Sequence, residues 1–234
     1  MKRKVFIWGA LVMTVLVLTW VGLYVLMNSR TYQVAGRIVS RVDTDDKVVA
    51  LTFDDGPTDR TPQLLRVLAD AGVPATFYLI GEELAANPAQ GAAIARAGHE
   101  IGNHSYTHQR MIFVGPGTVR DEIERTDAEI AKTGYAGPIT FRPPFGKKLL
   151  ALPRYLSQHD RTTVTWDVEP DSGKQASADA IVAETVAQVR PGSIILLHGM
   201  YETGAASVAA VPRIITELRA RGYRFVTVSD LLTH

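Results

Sequence analysis

The chain has 234 residues and no cysteine, which leaves room for one sizeable core beyond the N-terminus and excludes disulfides, thiol nucleophiles and cysteine-based zinc sites. Any metal must be held by histidine and carboxylate. Three of the 25 basic residues, Lys2, Arg3 and Lys4, precede every acid, so the remainder carries 22 against 24 acidic residues and lacks the basic footprint of a nucleic-acid binder.

Val5 to Met27 is apolar and uncharged, longer than the roughly 20 residues a bilayer crossing needs. The basic flank before it belongs on the cytoplasmic side, which places the chain beyond Met27 outside. A cleaved signal peptide has an apolar region of only about 7 to 15 residues and then a small-x-small site. Asn28-Ser29-Arg30-Thr31-Tyr32 offers no such site, so residues 1–28 are expected as an uncleaved single-pass anchor. Residues 29–46 are polar, lack sustained periodicity and are read as a linker or stalk ahead of a domain spanning 47–234.

From Lys47 onward short apolar runs alternate with helical patterns, the signature of βα units around a largely parallel sheet. The first strand, Val48 to Phe53, delivers Asp54 and Asp55 onto a Gly56-Pro57 turn; taken alone this is only a good turn. Thr61 is expected as an N-cap with Pro62 at the first helical position and Gly72 closing the helix. Ala75 to Ile80 reads as the second strand, Pro88 to Ala97 as a short helix stopped by Gly98, and Glu100 to Asn103 as a third strand running into His104.

Thr118 and Asp121 fit a capping box for a helix that reaches about Thr133 and turns Val119, Ile123 and Ile130 inward. Ile139 to Phe141 leads into Arg142-Pro143-Pro144-Phe145-Gly146, whose prolines forbid continuation of either element. Thr162 to Trp166 is a strand, followed by an acidic loop from Asp167 to Gly173 and a helix that begins at Ser177. Ser193 to Leu197 is an apolar strand running into His198, and a helix ending near Ala220 precedes the last strand, Tyr223 to Val228. The result is an α/β chain of about seven βα steps.

In a parallel sheet all strand C-termini lie on one face, so residues that follow strands converge however distant they are in sequence. Asp54, Asp55, His104, Arg142, the Asp167 to Asp171 loop and His198 all follow expected strands. His104 and His108 are two imidazoles four apart, weak evidence alone, but a turn can aim both rings at one point. One carboxylate added to them, with Asp55 the natural choice, gives a set that leaves coordination positions open for water and substrate.

Asp54 is then free to act as a base, because a divalent ion lowers the pKa of its water from about 15.7 toward about 7. Arg142 is able to orient Asp54 and keep it ionised, its bland alternative being a surface salt bridge. His198 is suited to protonate a leaving amine, with an acid from the Asp167 to Asp171 loop raising its pKa. Trp166 and Phe145 are pocket walls or core. Met111-Ile112-Phe113-Val114 is expected to pack under the barrel rim rather than form a lip, and Lys147 and Lys148 to lie in a solvated loop rather than meet an anionic polymer.

Thr52-Phe53-Asp54-Asp55-Gly56-Pro57, His104-Ser105-Tyr106-Thr107-His108, Arg142-Pro143-Pro144-Phe145-Gly146 and Leu196-Leu197-His198 stand in the order of the motifs of the NodB-homology polysaccharide deacetylases, carbohydrate esterase family 4. From Lys47 to His234 the chain resembles that family. The resemblance implies a distorted, incomplete (β/α) barrel of about seven parallel strands where the full barrel has eight. It implies a divalent metal, most often zinc with cobalt, manganese or nickel as alternatives, and removal of acetyl groups from N-acetylated amino sugars.

By position the resemblance makes Asp54 the base, Asp55, His104 and His108 the ligands, Arg142 the partner of Asp54 and His198 the acid. Phe145, Pro144 and Trp166 become substrate-binding, and the Phe145 N–H joins the metal in stabilising an oxyanion. One motif departs: Trp166-Asp167-Val168-Glu169-Pro170-Asp171-Ser172 is shorter than the family segment and lacks its second tryptophan. Asp171 is expected to tune His198, with Asp167 as rival.

The expected protein is a membrane-anchored N-deacetylase of an extracytoplasmic glycan, peptidoglycan or another N-acetylglucosamine polymer. Its partners are the acetylated polysaccharide and, through the N-terminal helix, a membrane. A non-catalytic glycan-binding module of the same fold and an O-acetyl esterase are the alternatives.

Overall fold

The computed structural model describes residues 2–172 and 176–234. Gly173, where the acidic loop was expected to end, lies outside the described residues, as do the side chains of Lys2, Arg3 and Lys4. Helix α1, Lys2–Asn28, contains the apolar stretch Ile7–Asn28, whose 22 residues are almost wholly exposed and long enough to cross a bilayer.

The strands are β1 Ile38–Val39, β2 Val48–Asp54, β3 Thr76–Leu79, β4 Glu100–Asn103, β5 Thr163–Val164, β6 Ile194–Leu197 and β7 Arg224–Val226. All their pairings are parallel. β2 is central: one edge pairs with β6, and the other pairs with β3 toward its C-terminal end and with β7 toward its start. β4 continues the sheet beyond β3, while β1 and β5 form a separate pair.

Among the described residues, the strand-type pairings that join the two pieces are isolated bridges. Phe141 bridges Asn103 and Thr163, and on the other side Val168 bridges Ile195 and Arg41 bridges Ser193. The expected incomplete barrel is thus present, with its ring carried at these places by single residues.

Side-chain alternation explains where the chemistry points. In β2, Val49, Leu51 and Phe53 pack outward in the larger core, whereas Val48 and Ala50 belong to the inner one. The two-residue period therefore turns Thr52 and Asp54 into the barrel. In β6 the same period sends Ile195 and Leu197 outward and Ile194 and Leu196 inward, so that His198 is next on the inner face.

The outer layer comprises α2 Thr61–Ala71, α3 Gly81–Ala86, α4 Pro88–Arg96, α5 Pro116–Lys132, α6 Ala151–Gln158, α7 Ala178–Gln188 and α8 Ala205–Ala220, with α9 Val228–Leu231 closing the chain. Leu64, Leu68, Ile94, Ile181 and Val211 cover the outer face of the sheet. Val119, Ile123, Leu152 and Leu156 gather with Phe141 in a smaller cluster.

Several expectations change. Thr118 and Asp121 do not form a capping box, because α5 starts at Pro116 behind Gly115, which makes no side-chain cap. Proline at the first position is already preset for a helix start. Thr61 sits inside α2, where its hydroxyl accepts the Thr58 N–H at 3.0 Å. The last strand stops at Val226, since the Thr227 hydroxyl accepts from Asp230 N and caps α9. α3 and α6 were not foreseen.

Residues 29–46 are not an extended stalk. They supply β1 and bury Gln33 and Val39 against the barrel, a two-residue strand being too short to leave a periodic signal. Lys147 and Lys148 are not a solvated pair either. Lys148 is 1% exposed, its N–H donates to Met27 O at 3.4 Å and its ammonium meets Ser29 O, while the Lys147 ammonium meets the Asn28 side chain. Both cations thus sit at the C-terminal end of α1, where a helix favours positive charge. The Met111 run divides: Met111 is buried in the small cluster and Phe113 is exposed.

Candidate active site

Asp54 and Asp55 leave β2 in different directions, because Asp55 adopts a left-handed conformation with φ of 72°. Asp54 faces the barrel interior. Its Oδ1 accepts Arg142 Nη1 at 2.6 Å, and the same nitrogen donates to Thr52 Oγ1 at 2.8 Å while Nη2 donates to Thr165 O at 3.1 Å. The guanidinium carbon lies 4.0 Å from the centroid of the Tyr78 ring, so Arg142 is walled by an aromatic face, while its Nε is buried without a hydrogen-bond partner. Burial raises the Asp54 carboxyl above its ordinary value even though Arg142 and His198 oppose it.

Asp55 Oδ1 is buried without a hydrogen-bond partner. It lies 3.2 Å from His108 Nε2 and 3.7 Å from His104 Nε2, and one ligand atom from each of the three residues falls within 4.8 Å of the others. Donors at about 2.0–2.2 Å from one ion stand at most about 4.4 Å apart, and both separations from Asp55 Oδ1 lie within that reach, as a divalent cation requires. An orphaned carboxylate oxygen facing two imidazoles is also what such an ion would satisfy.

The His104 tautomer agrees with that fit. His104 Nδ1 lies 2.7 Å from Arg142 O, and a carbonyl only accepts, so Nδ1 carries the proton and Nε2 presents its lone pair to the acids. Burial lowers the His104 pKa to about 3, keeping the ring neutral. His108 reaches its place through a turn in which it and Ser105 have φ of 56° and 67°.

Glu122 of α5 holds that turn. Its carboxylate accepts Tyr106 N at 2.8 Å, Thr107 N at 2.9 Å, Thr107 Oγ1 at 2.8 Å and Gln109 Nε2 at 2.8 Å. Burial alone would raise its pKa, but these donors outweigh burial and hold it below the usual value.

His198 lines the same space. Asp171 accepts both its backbone N–H, at 2.7 Å, and its Nδ1, at 3.1 Å, and is itself fixed by Ser207 Oγ at 2.7 Å. Burial alone would lower the imidazole pKa, but the Asp171 hydrogen bond and charge push it up to about 9. The rival Asp167 is elsewhere: it accepts Ser193 Oγ and Ile194 N, both at 2.9 Å, and secures the start of β6.

A cavity of about 370 Å³ collects Asp54, Asp55, His104, His108, Phe145, Trp166 and His198. A larger one of about 630 Å³ adjoins it, sharing Asp55, Ser172 and His198. Phe145 is half-exposed at a tip with φ of 58°, its ring 4.7 Å from that of His108. Pro144 is buried and is not among the residues that line this cavity. Arg30 and Glu169 do line it and were missed, as was Glu122. A segment read as stalk gave no reason to look at Arg30, and Glu122 looked like any surface acid on an amphipathic helix.

Two imidazoles and a carboxylate, with a second acid beside them at the C-terminal rim of a parallel barrel, define a hydrolase that works through a divalent ion. Comparison with known proteins agrees. The model of the polysaccharide deacetylase family matches residues 41–164. Two Bacillus cereus proteins named peptidoglycan-N-acetylglucosamine deacetylase are similar, one 36% identical over 187 residues, 78% of this chain and 67% of that protein. The other is 34% identical over 202 residues, 85% of this chain and 94% of that one. The crystal structure of a peptidoglycan N-acetylglucosamine deacetylase in complex with 4-naphthalen-1-yl-N-oxidanyl-benzamide superposes with a TM-score of 0.79 at 34% identity, covering 82% of this chain and 91% of that one. The chain belongs to the polysaccharide deacetylase family.

Proposed function

We propose that this protein is a membrane-anchored N-deacetylase of an extracytoplasmic amino-sugar polymer, with peptidoglycan the leading candidate because relatives of that name match most of the chain. The observation that carries the reading is the division of labour between neighbouring acids: Asp54 is bound to Arg142, whereas Asp55 is unpartnered and faces two imidazoles. Residues 1–28 are the anchor and 47–234 the catalytic domain, with 29–46 joining them while packed on the barrel. An N-terminal basic cluster held in the cytoplasm puts the domain outside.

Asp55, His104 and His108 would hold the divalent ion, zinc being the first choice for one carboxylate and two imidazoles. When bound, the ion lowers the pKa of water and draws electron density from the acetamide carbonyl. Asp54 accepts the proton of the attacking water as its oxygen bonds to the carbonyl carbon. Arg142 keeps Asp54 ionised and aimed, and the Phe145 N–H donates to the developing oxyanion. His198, charged through Asp171, then gives its proton to the nitrogen as the C–N bond breaks, releasing acetate and a free amine. The two joined cavities offer room for more than the reacting sugar, which suits a polymer.

Acetate release from chitooligosaccharides and purified cell wall tests the reading. Asp54→Asn should keep its metal and lose turnover, and His104→Ala should lose both. Glycan binding by the metal-loaded wild-type chain with no acetate released would make it a binding module instead.

A further inference from the structure

Arg30 lies two residues beyond the end of α1, a step that spans at most about 7 Å of chain, yet it lines the catalytic cavity beside Trp166 and His198. Three contacts keep it there. Nη2 donates to Glu169 Oε2 at 2.5 Å, Cζ lies 4.7 Å from the centroid of the Trp166 ring, and the Arg30 carbonyl accepts Thr165 Oγ1 at 2.6 Å. Glu169 is fixed in turn, since the same Oε2 accepts Trp166 Nε1 at 2.7 Å.

A bare surface ion pair contributes little. Here the guanidinium is stacked on a buried tryptophan and paired with a carboxylate tied to that same ring, so its orientation is set before any ligand arrives. The Arg30 side chain nevertheless stays 44% exposed, against 16% for Glu169. Among the described residues its side chain makes no other hydrogen bond, which leaves most of its N–H donors for a ligand. Sugar hydroxyls and an acetamide carbonyl are acceptors; Asp54, Asp55 and Glu169, which share this cavity, are acids, and His198 is committed to the leaving nitrogen.

We propose that Arg30 is a substrate-binding residue that donates hydrogen bonds to the amino sugar in the cavity, so that the segment leaving the anchor forms one wall of the site. The inference rests on the deacetylase reading. Lys147 and Lys148, just beyond the Phe145 tip, grip the same segment through Asn28, Ser29 and Met27.

The test is steady-state acetate release from chitooligosaccharides by the detergent-solubilised full chain, with Arg30→Ala and Arg30→Lys, together with oligosaccharide binding by the same variants in the Asp54→Asn background. Arg30→Ala should raise KM and Kd about tenfold, the effect of losing a hydrogen bond to a charged group. Its kcat should stay within about twofold, since binding lost equally from ground and transition states leaves turnover unchanged. Metal content and melting temperature should not change, and Arg30→Lys should restore part of the affinity.

Unchanged KM and Kd overturn the inference. So does a fall in KM, which would put Arg30 in the sugar's place, and so does a loss confined to kcat or to bound metal, which marks a structural role. A wild-type chain that neither releases acetate nor, in its Asp54→Asn form, binds oligosaccharide overturns the reading of function and this inference with it. Acetate release with unaltered affinity overturns this inference alone.

Discussion

Arg142 and Asp54 meet inside the barrel through a 2.6 Å hydrogen bond, with the guanidinium wholly buried and the carboxylate 3% exposed. Removing one partner leaves the other charge buried and unmatched. Arg142→Ala is therefore expected to destabilise the chain by about 3–5 kcal/mol in denaturant melts. It should also abolish acetate release near neutrality, because the Asp54 carboxyl, already raised by burial, loses the cation that most opposes that rise. Asp54→Asn keeps an acceptor for Arg142 and should fold with its metal while turnover drops about 10²–10⁴-fold, the usual contribution of a positioned base. Retention of wild-type turnover by that variant would remove Asp54 from the base role.

His198 must carry a proton to donate one, which fixes the sign of the alkaline limb. Its pKa is raised to about 9, so the imidazolium persists below that pH and is lost above it, and activity should decline on the alkaline side as the ring deprotonates. A divalent ion at Asp55 repels the imidazolium and moves the limb to lower pH. In Asp171→Asn the hydrogen-bonded charge is gone while the ion remains, so the limb should move down further, toward or below the ordinary value of about 6.5. The measurement is kcat/KM against pH for both metal-loaded chains. Coincident alkaline limbs would show that Asp171 does not set the proton affinity of His198.

Glu122 touches none of the reacting groups, yet its carboxylate gathers four donors from the turn between His104 and Gln109. Glu122→Gln replaces one acceptor oxygen by a donor amide and sets it against an N–H or O–H of that turn. Metal affinity should fall about 10–100-fold, the scale of losing a group that orients ligands from behind, with all three ligands intact. Competition with a chelator reads this directly, and an unchanged affinity would make the Glu122 contacts dispensable.

Legibility in the sequence followed the length and regularity of each signal. β2 and β6 are continuous apolar runs ending in acids or histidine, and the convergence of Asp54, Asp55, His104 and His198 follows from parallel topology alone. β1 is two residues long, below any period, so the chain around Arg30 looked like polar linker, whereas β5 was legible as the strand expected at Thr162 to Trp166 but is confined to Thr163–Val164. The same short elements explain why the incomplete barrel is continued at Phe141 and Val168 by isolated bridges. Lys148 misled for another reason: its burial depends on Met27 and Ser29, more than a hundred residues away, and lowers its pKa to about 8. Asp171 and Asp167 were equivalent by composition, and only the placement of His198 N–H and Nδ1 distinguishes them.

Gly102 supports the Arg142–Asp54 pair from a distance. It lies opposite Tyr78 in the β3–β4 pairing, and the Tyr78 ring fills the space its missing side chain leaves. A Cβ there would stand 2.4 Å from Tyr78 Cε1 and 2.5 Å from Cδ1, which the ring relieves only by shifting. Its room is limited, because the phenol is held by Thr140 Oγ1 at 2.8 Å and the guanidinium of Arg142 lies 4.0 Å from its centroid. Gly102→Ala is expected to cost about 1–3 kcal/mol, as overpacking does in a closed core, and to lower kcat through the displaced Arg142. Pairing it with Tyr78→Phe, which frees the ring from Thr140, should recover part of both losses if the clash is with the ring. Thermal melts and acetate release on the two single variants and the double would measure that coupling, and strictly additive losses would place the strain elsewhere.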